Sequence, residues 1–539
     1  MTRLPCFAGL LVLAAAAVSG RLVGSAVPEP TSAGQEAAGP AAAPRFEPVQ
    51  PDLFAAAGGQ PNAWADMDND GDLDLFVGFQ LGKPNRLYRN DGGTFVDVAA
   101  EAGVADLTDT RAAAWGDFDA DGYVDLYIGF TRKSDTPNKL YRNNGPGRPF
   151  TDAAGPMGVD AKGETRQPSW IDYDNDGDLD LFVAFRDAPN MLFRNDGDRF
   201  VSVGQALGLD DGRRTVGAVW FDFDQDGDLD VFVANQNGDL NGLFRNDRTR
   251  FVDVAHDLGM DAAGREPTSG SNGPSVADYD VDGDLDLFVA SYGPNFLYRN
   301  DGNGKFTEVT AEMGVPGGDR ATPSRWGDYD NDGRPDLYVS SYIDKVTNER
   351  DFLYHNDGGR FTDVNAAPIL TRGATHGVQW VDFDRDGDLD LALANNNPTG
   401  AHPLYRNLLP PEIARRSLQV MVLNEQGRAT RAGAEVRVFA AGTRRLLGTA
   451  LLDTGGGYCS QNVAPVHVGL PSMSPVDVEV TTLTPGGRNV TRVAGVTPGT
   501  PAGGILTVRA PAGGPGSDRQ ASREAVSTGE RSRPGGRAR

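Results

Sequence analysis

One stretch decides the fold: Asp66-Met67-Asp68-Asn69-Asp70-Gly71-Asp72-Leu73-Asp74, with Trp64 two residues ahead and the apolar run Leu75-Phe76-Val77 behind. Aspartate stands at positions 1, 3, 5 and 9 (Asp66, Asp68, Asp70, Asp74), and glycine at position 6. The pattern returns six times. The second copy places Asp117, Asp119, Asp121 and Asp125, the third Asp172, Asp174, Asp176 and Asp180, and the fourth Asp222, Asp224, Asp226 and Asp230. The fifth holds Asp278, Asp280, Asp282 and Asp286, the sixth Asp328, Asp330, Asp332 and Asp336, and the seventh Asp382, Asp384, Asp386 and Asp390. Successive first aspartates lie 51, 55, 50, 56, 50 and 54 residues apart. A segment recurring at such a period marks a repeat architecture.

Around each loop the same parts recur in order. Trp precedes the first Asp by two residues at Trp64, Trp115, Trp170, Trp220, Trp326 and Trp380, which are all the tryptophans of the chain; Val276 takes that place in the fifth unit. Further on stands Leu-Tyr-Arg-Asn, at 87–90, 140–143, 297–300 and 404–407, varied to Leu-Phe-Arg-Asn at 192–195 and 243–246 and to Leu-Tyr-His-Asn at 353–356. A last short strand follows, such as Phe95-Val96-Asp97-Val98. Short strands divided by Gly, Asn and Asp turns are a β signature. Four per unit predict an all-β chain, a seven-bladed β-propeller with one unit per blade. The seventh unit ends at Asn407 after three strands, and an orphan fourth strand, Phe46-Glu47-Pro48-Val49, lies ahead of the first loop. That N-terminal strand is predicted to complete the last blade and remove its open edge. The tryptophans are expected to pack between blades, and the arginines to pair with carboxylates or backbone of a neighbouring strand.

Four carboxylates in nine residues repel one another, by about 4 kcal/mol per close pair at an effective dielectric near 20. A turn does not need them, because Asn or Ser would serve without the repulsion. A hard dication removes the cost. Calcium takes oxygen ligands, and Asp at 1, 3 and 5 sets three side chains on one side of a tight loop. Gly at 6 permits the turn, position 7 can offer a carbonyl, and Asp at 9 closes the shell. An EF-hand needs a Glu at position 12 and flanking helices, but that position holds Val77, Ile128, Val183, Val233, Val289, Val339 and Leu393. Zinc is disfavoured because no His or Cys lies among the acids; magnesium fits less well for its strict octahedron. All 28 aspartates are therefore predicted as metal ligands, with about one calcium per blade and up to seven in all. Their predicted role is to stiffen the blades.

The formal charge of −25 argues against nucleic acid or an anionic membrane as main partner. Five loops carry a further Asp at position 7, so the loops hold 33 of the 75 acids, and the remaining 42 are outnumbered by 50 Lys and Arg. Arg3, an apolar stretch from Phe7 to Val18 and small residues up to Ala26 read as a signal peptide over 1–26, too short to span a membrane comfortably. Export is thus expected, to the periplasm, the cell surface or the medium. Its removal would leave Cys459 as the one cysteine, so no internal disulfide could form. Residues 27–45 read as a flexible linker and 511–539 as a disordered tail.

The repeats resemble the FG-GAP/VCBS repeats of integrin α-type propellers, whose calcium loops have this form. The resemblance covers 46–407, within a propeller domain at 46–409. Beyond Pro410-Pro411 a β-rich domain is read over 416–509. Its segments Arg431-Ala432-Gly433-Ala434-Glu435-Val436, Gly455-Gly456-Gly457-Tyr458-Cys459-Ser460-Gln461-Asn462 and Val466-His467-Val468-Gly469-Leu470 resemble, in that order, the ASPIC/UnbV domain. Such a domain follows the propeller in bacterial proteins and in the cartilage acidic protein family. The resemblance implies an exported, calcium-binding adhesion or interaction protein and names no ligand; the expected partner is an unknown protein or glycan ligand outside the cytoplasm.

Catalysis is not the expectation. The chain has no G-x-S-x-G elbow, no H-E-x-x-H and no Walker A segment. His256, His355, His376, His402 and His467 are scattered; His355 stands in for the repeat Arg, and His467 is expected to pack inside the small domain. The alternative is a polysaccharide-active, lyase-like enzyme with its site at the channel mouth. A cluster of Lys, Arg and Tyr at one end of the channel would favour it, whereas an exposed apolar patch would favour protein binding.

Overall fold

Each repeat folds as four antiparallel strands in chain order. In the first they are Gly59–Ala65, Asp74–Phe79, Arg86–Asn90 and Phe95–Asp97. The acidic nine-residue stretch is the hairpin connection between the first two, flanked by the pairs Ala65↔Asp74 and Trp64↔Leu75. First strands such as Gly59–Ala65, Thr165–Ile171 and Thr215–Phe221 are buried along their whole length, with neighbours on both faces. The computed structural model describes residues 44–131, 135–342, 350–397, 400–499 and 504–510, and the backbone of 519–520. The expected signal peptide, nearly all of the linker and nearly all of the tail lie outside these residues. Among the described residues no helix is long and apolar enough to cross a membrane. Helices are single turns, such as Ala99–Ala102 between one repeat and the next.

The architecture is all-β: six four-stranded antiparallel sheets, and a seventh in which the four strands of the second repeat gain an extra edge strand. One of the six joins Phe46–Val49 to the three strands of the seventh repeat, with Phe46 opposite Asn407 and Val49 opposite Leu404. First strands of successive repeats pack against one another, and Gly59–Ala65 packs against Thr375–Val381. The tryptophans make these contacts specific. The indole N–H of Trp115 donates to Ala63 O (3.1 Å), that of Trp170 to Ala114 O (3.3 Å) and that of Trp326 to Ser275 O (3.2 Å), each on the preceding repeat. Trp170 lies so close to Gly116 that an added Cβ would sit 2.6 Å from the ring, and Trp380 meets Gly327 in the same way. The small residue of each Trp-Gly-Asp is the seat of the next indole.

A second inter-repeat bond comes from the asparagine of Leu-Tyr-Arg-Asn. Its amide donates once to its own loop and once to the loop before: Asn195 to Leu179 O (3.1 Å) and Phe118 O (2.9 Å), Asn246 to Leu229 O (3.3 Å) and Tyr173 O (2.9 Å). All seven repeats do this, and Asn90 reaches Phe383 O of the seventh at 2.9 Å. The arginine beside it pairs with carboxylates at the surface, as in Arg194–Asp196 (2.7 Å) and Arg245–Asp247 (2.8 Å). Exposed pairs of this kind contribute little.

The segment after Pro411–Ala414 forms two sheets. Ser417–Leu423 lies between Val466–Gly469 and Ile505–Arg509, and Glu435–Ala440 lies between Leu446–Leu451 and Val476–Thr484. Alternate residues of these strands (Leu418, Val420 and Val422 against Val436, Val438, Val478 and Val480) make one apolar core. The described residues from 44 on belong to one compact unit, and Ser460–Gln461 is the extra edge strand already noted, running parallel to Ala113–Ala114.

The two partners of the repeat segment should separate in mutants. Asn195→Ala leaves Phe118 O and Leu179 O without their donor and should cost about 1–3 kcal/mol. Arg194→Ala should cost less than about 1 kcal/mol. Urea unfolding of the two variants measures both; equal losses would contradict the assignment.

Candidate metal loops and the face that covers them

The loops are shaped by their own backbone N–H groups. Gly at position 6 donates to the first aspartate in every copy, as Gly71 to Asp66 Oδ2 (2.9 Å) and Gly333 to Asp328 Oδ2 (2.8 Å). The N–H of position 7 donates to the fifth-position aspartate, as Asp178 to Asp176 Oδ1 (3.0 Å). The ninth-position aspartates are fully buried. Each takes one N–H from position 2 and one from the repeat asparagine: Asp230 Oδ2 from Phe223 (3.2 Å) and Oδ1 from Asn246 (2.7 Å). The glycine was legible as a turn residue, with φ between 95° and 103° in all seven copies. Position 4 was not: it is left-handed in every loop, at Asn69, Ala120, Asn175, Gln225, Val281, Asn331 and Arg385. Such a backbone is strained for a β-branched residue such as Val281. Where the side chain is long enough it reaches the next loop, as Asn69 Nδ2 to Gly122 O (2.9 Å) and Asn175 Nδ2 to Gly227 O (3.1 Å).

What these donors leave over is the site. One ligand oxygen each from Asp66, Asp68 and Asp70 lie within 4.8 Å of one another, and so do those of Asp117, Asp119 and Asp125, of Asp172, Asp174 and Asp180, and of Asp222, Asp224 and Asp230. In loops two to four the first aspartate, 1%, 7% and 4% exposed, has a buried Oδ1 with no hydrogen-bond partner. In loops one, six and seven the same holds for Oδ1 of Asp68, Asp330 and Asp384. A buried carboxylate oxygen without a donor is costly, and six loops carry one. The residues therefore fit a hard cation, with Asp at 1 and 3 offering free oxygens and Asp at 5 and 9 completing the set.

Burial and mutual repulsion raise the carboxyls. Burial first, then Asp121, lifts Asp117 to about 7; burial, then Asp176, does the same for Asp172, and burial dominates in Asp74 at about 8. Asp125, Asp180, Asp230, Asp286 and Asp390 are raised well above the ordinary value, chiefly by burial.

The sixth loop departs from the expectation that no histidine accompanies the acids. His355 is 3% exposed, and its Nδ1 lies 3.4 Å from Asp330 Oδ2 and 3.2 Å from Asp336 Oδ1. Periodicity hid it, because its chain position is that of the repeat Arg. His467 also departs: its Nε2 meets Asn331 Oδ1 of the sixth loop at 2.7 Å instead of packing inside its own domain.

That contact is one of several by which the C-terminal sheets lie on the loop face. Arg488 bridges Asp222 (2.5 Å) and Glu435 (2.6 Å), Arg437 donates to Gly283 O (2.6 Å), Ser417 to Gly387 O (2.7 Å) and Gln419 to Asp382. A cavity of about 210 Å³ remains between them, lined by Trp326, Trp380, Asp328, Asp382, Arg325 and His467.

From this domain the segment 453–463 reaches the first strands of all seven repeats. Asn462 Oδ1 accepts Trp64 N–H (2.9 Å), Cys459 O accepts Ala113 N–H (3.0 Å), and Gln461 brackets Trp170 by accepting its N–H (2.6 Å) and donating to its carbonyl (2.9 Å). Thr454 Oγ1 does the same for Trp220, Gly457 N–H donates to Pro274 O (2.6 Å), Arg325 pairs with Asp453, and Gln379 donates to Ser460 Oγ (3.0 Å). At the tip Tyr458 and Cys459 both have positive φ, 105° and 58°. The Tyr458 phenol oxygen accepts from Arg111 and from Arg166 (3.0 Å). Its ring neighbours His376 (5.9 Å), which neighbours Tyr342 (5.6 Å), which neighbours Tyr292 (6.0 Å) under Arg320. Burial, then Arg111, lowers His376 to about 3, so its imidazole is neutral. Cys459 is fully buried, and burial pushes its thiol up to about 12, which makes it unreactive.

The FG-GAP-like repeat model matches at 66–128, 117–183, 172–233, 222–289, 278–339 and 344–393, together more than half of the chain. The chain belongs to the FG-GAP-like repeat family. Cartilage acidic protein 1 of mouse is 38% identical to it over 130 residues, which is 22% of this chain and 19% of the mouse protein; the Xenopus tropicalis protein is 34% identical over 146 residues, 25% of this chain and 22% of its own. The chain thus spans about a fifth of the length of these relatives. Among solved structures, BBS1N in complex with ARL6DN is similar at 12% identity and a TM-score of 0.42, over 68% of this chain and 97% of that one. The extracellular domain of the putative hybrid two-component system BT4673 from B. thetaiotaomicron is similar at 12% and 0.40, over 71% and 44%.

Metal-free loops have a definite pH signature. An unfolded aspartate titrates near 3.8, whereas Asp66 titrates at about 6 and Asp117, Asp172, Asp278 and Asp382 at about 7 when folded. Between these values the native state binds more protons than the unfolded state, so stability falls as pH rises through this window. In chelator, the urea midpoint should be lower at pH 8 than at pH 5. Saturating calcium should abolish that trend, and a midpoint that rises with pH in chelator would contradict the assignment.

Proposed function

We propose that the protein is an exported binding module: a closed seven-bladed β-propeller over 46–409, stiffened by calcium in its acidic loops, carrying an ASPIC/UnbV-like domain over 416–509. Ring closure is supported by the Phe46–Val49 pairing, the packing of Gly59–Ala65 on Thr375–Val381 and the Asn90 bond to Phe383 O. Calcium is supported above all by the buried aspartate oxygens that no protein donor satisfies. The donor set is oxygen in six loops, which suits a hard cation. The metal supplies charge neutralisation and a cross-link; every other step of stiffening belongs to the protein's own N–H groups and to the asparagine bridges.

Recognition is assigned to the surfaces that the C-terminal sheets leave free, and the ligand class to a protein or a glycan outside the cytoplasm. Kinship with cartilage acidic protein 1 favours the extracellular setting. One observation favours the enzymatic alternative: Arg111, Arg166, Tyr292, Tyr342 and Tyr458 gather in one place, as a polysaccharide lyase would require. Binding remains the preferred reading because Tyr458 is already held by two guanidiniums. A lyase assay on uronic-acid polysaccharides separates the two, and turnover there would overturn the binding reading.

A calorimetric melt in excess calcium and in chelator tests the central part. A site at a hundred times its dissociation constant adds about 2.7 kcal/mol, so several sites should raise the Tm clearly. An unchanged Tm would overturn the calcium reading.

A further inference from the structure

We propose that the sixth loop is a metal site of a different kind, in which His355 Nδ1 ligates a borderline divalent transition metal such as zinc together with Asp330 and Asp332. It rests on the reading of these loops as metal sites, but it assigns this loop a ligand set and a metal class of its own.

The place of His355 is held by Arg89, Arg142, Arg194, Arg245, Arg299 and Arg406 in the other repeats. A guanidinium only donates and stays protonated, so it cannot ligate a cation. An imidazole can. His355 is 3% exposed, and its Nδ1, 3.4 Å from Asp330 Oδ2 and 3.2 Å from Asp336 Oδ1, makes no well-aligned hydrogen bond. Ligand atoms of Asp330, Asp332 and His355 lie within 4.8 Å of one another. The other ring nitrogen, Nε2, lies 3.4 Å from Asp357 Oδ1. A carboxylate behind the far nitrogen is the arrangement that orients a metal-bound histidine.

The loop is also less suited to a hard ion than its neighbours. At position 7, where five loops have Asp and the second has Tyr123, it has Arg334. That guanidinium pairs with Asp332 and donates from Nε to Asn356 O (2.7 Å). Less negative charge and a nitrogen ligand both shift preference from calcium towards zinc and its neighbours. Zinc takes four ligands from imidazole and carboxylate, so Asp330, Asp332, His355 and one further oxygen complete its shell.

Cobalt(II) is the probe, because nitrogen ligation in a four-coordinate site gives it an intense visible absorption. The full chain, stripped with chelator and then saturated with calcium, is titrated with cobalt. One equivalent should bind with a visible band, and zinc should bleach it. His355→Arg restores the residue of the other six repeats and should abolish the band without lowering the melting temperature of the calcium form; His355→Gln should abolish it as well. A band that persists in both variants, or cobalt uptake without any band in the parent, would overturn the assignment and leave His355 as an internal cation among the acids. Calcium uptake is measured in the same samples, so failure of the other loops to bind calcium is distinguished from failure at His355.

Discussion

Everything in this molecule is arranged around the crowding of four aspartates into nine residues. Backbone N–H groups hold them: one or two to the first aspartate, one to the fifth-position aspartate, and two to the buried ninth, of which one comes from the repeat asparagine. A hydrogen bond to a charged group contributes about 1.5–3 kcal/mol, while each close pair of carboxylates costs about 4 kcal/mol. The donors shape the loop but do not neutralise it, as the raised carboxyls show. A proton or a cation must do the rest. The ninth aspartate ties this balance to the fold, because the asparagine whose N–H it accepts also bonds the neighbouring loop.

The C-terminal sheets depend on the same loops. Arg488, Arg437, Gln419 and Ser417 all meet loop atoms, so a loop that changes shape changes the surface on which the domain rests. The 453–463 segment then joins the seven repeats through hydrogen bonds to Trp64, Trp170 and Trp220 backbone groups among others. Among the described residues the one cysteine, Cys459, is buried and free, and there such contacts tie the chain together in place of a disulfide.

Much of this was legible in the sequence. The period, the Trp, the four-strand unit and the displaced Phe46–Val49 strand follow from residues that recur at fixed offsets, and recurrence is visible without a structure. All seven glycines stand where a turn with positive φ requires them. The repeat asparagine was equally visible, yet its role was not, because its partner lies on another repeat, 77 residues away in the contacts of Asn195 and Asn300. The left-handed fourth position was hidden by its composition, since Ala120, Val281 and Arg385 are not residues that announce such a backbone. His355 was hidden differently. It is adjacent to the sixth loop only through the pairing of the second and third strands, Leu337 with Tyr354. The 453–463 segment lies far along the chain from every strand it touches, so no local pattern could reveal it.

The calcium reading is tested most directly by native mass spectrometry of the chelated protein returned to calcium, because it counts ions per chain. At least six calcium ions are expected, one for each all-oxygen loop, with the His355 loop deciding whether a seventh divalent ion is present. Saturation below six ions would contradict it, for the six all-oxygen loops share one backbone shape and should load together.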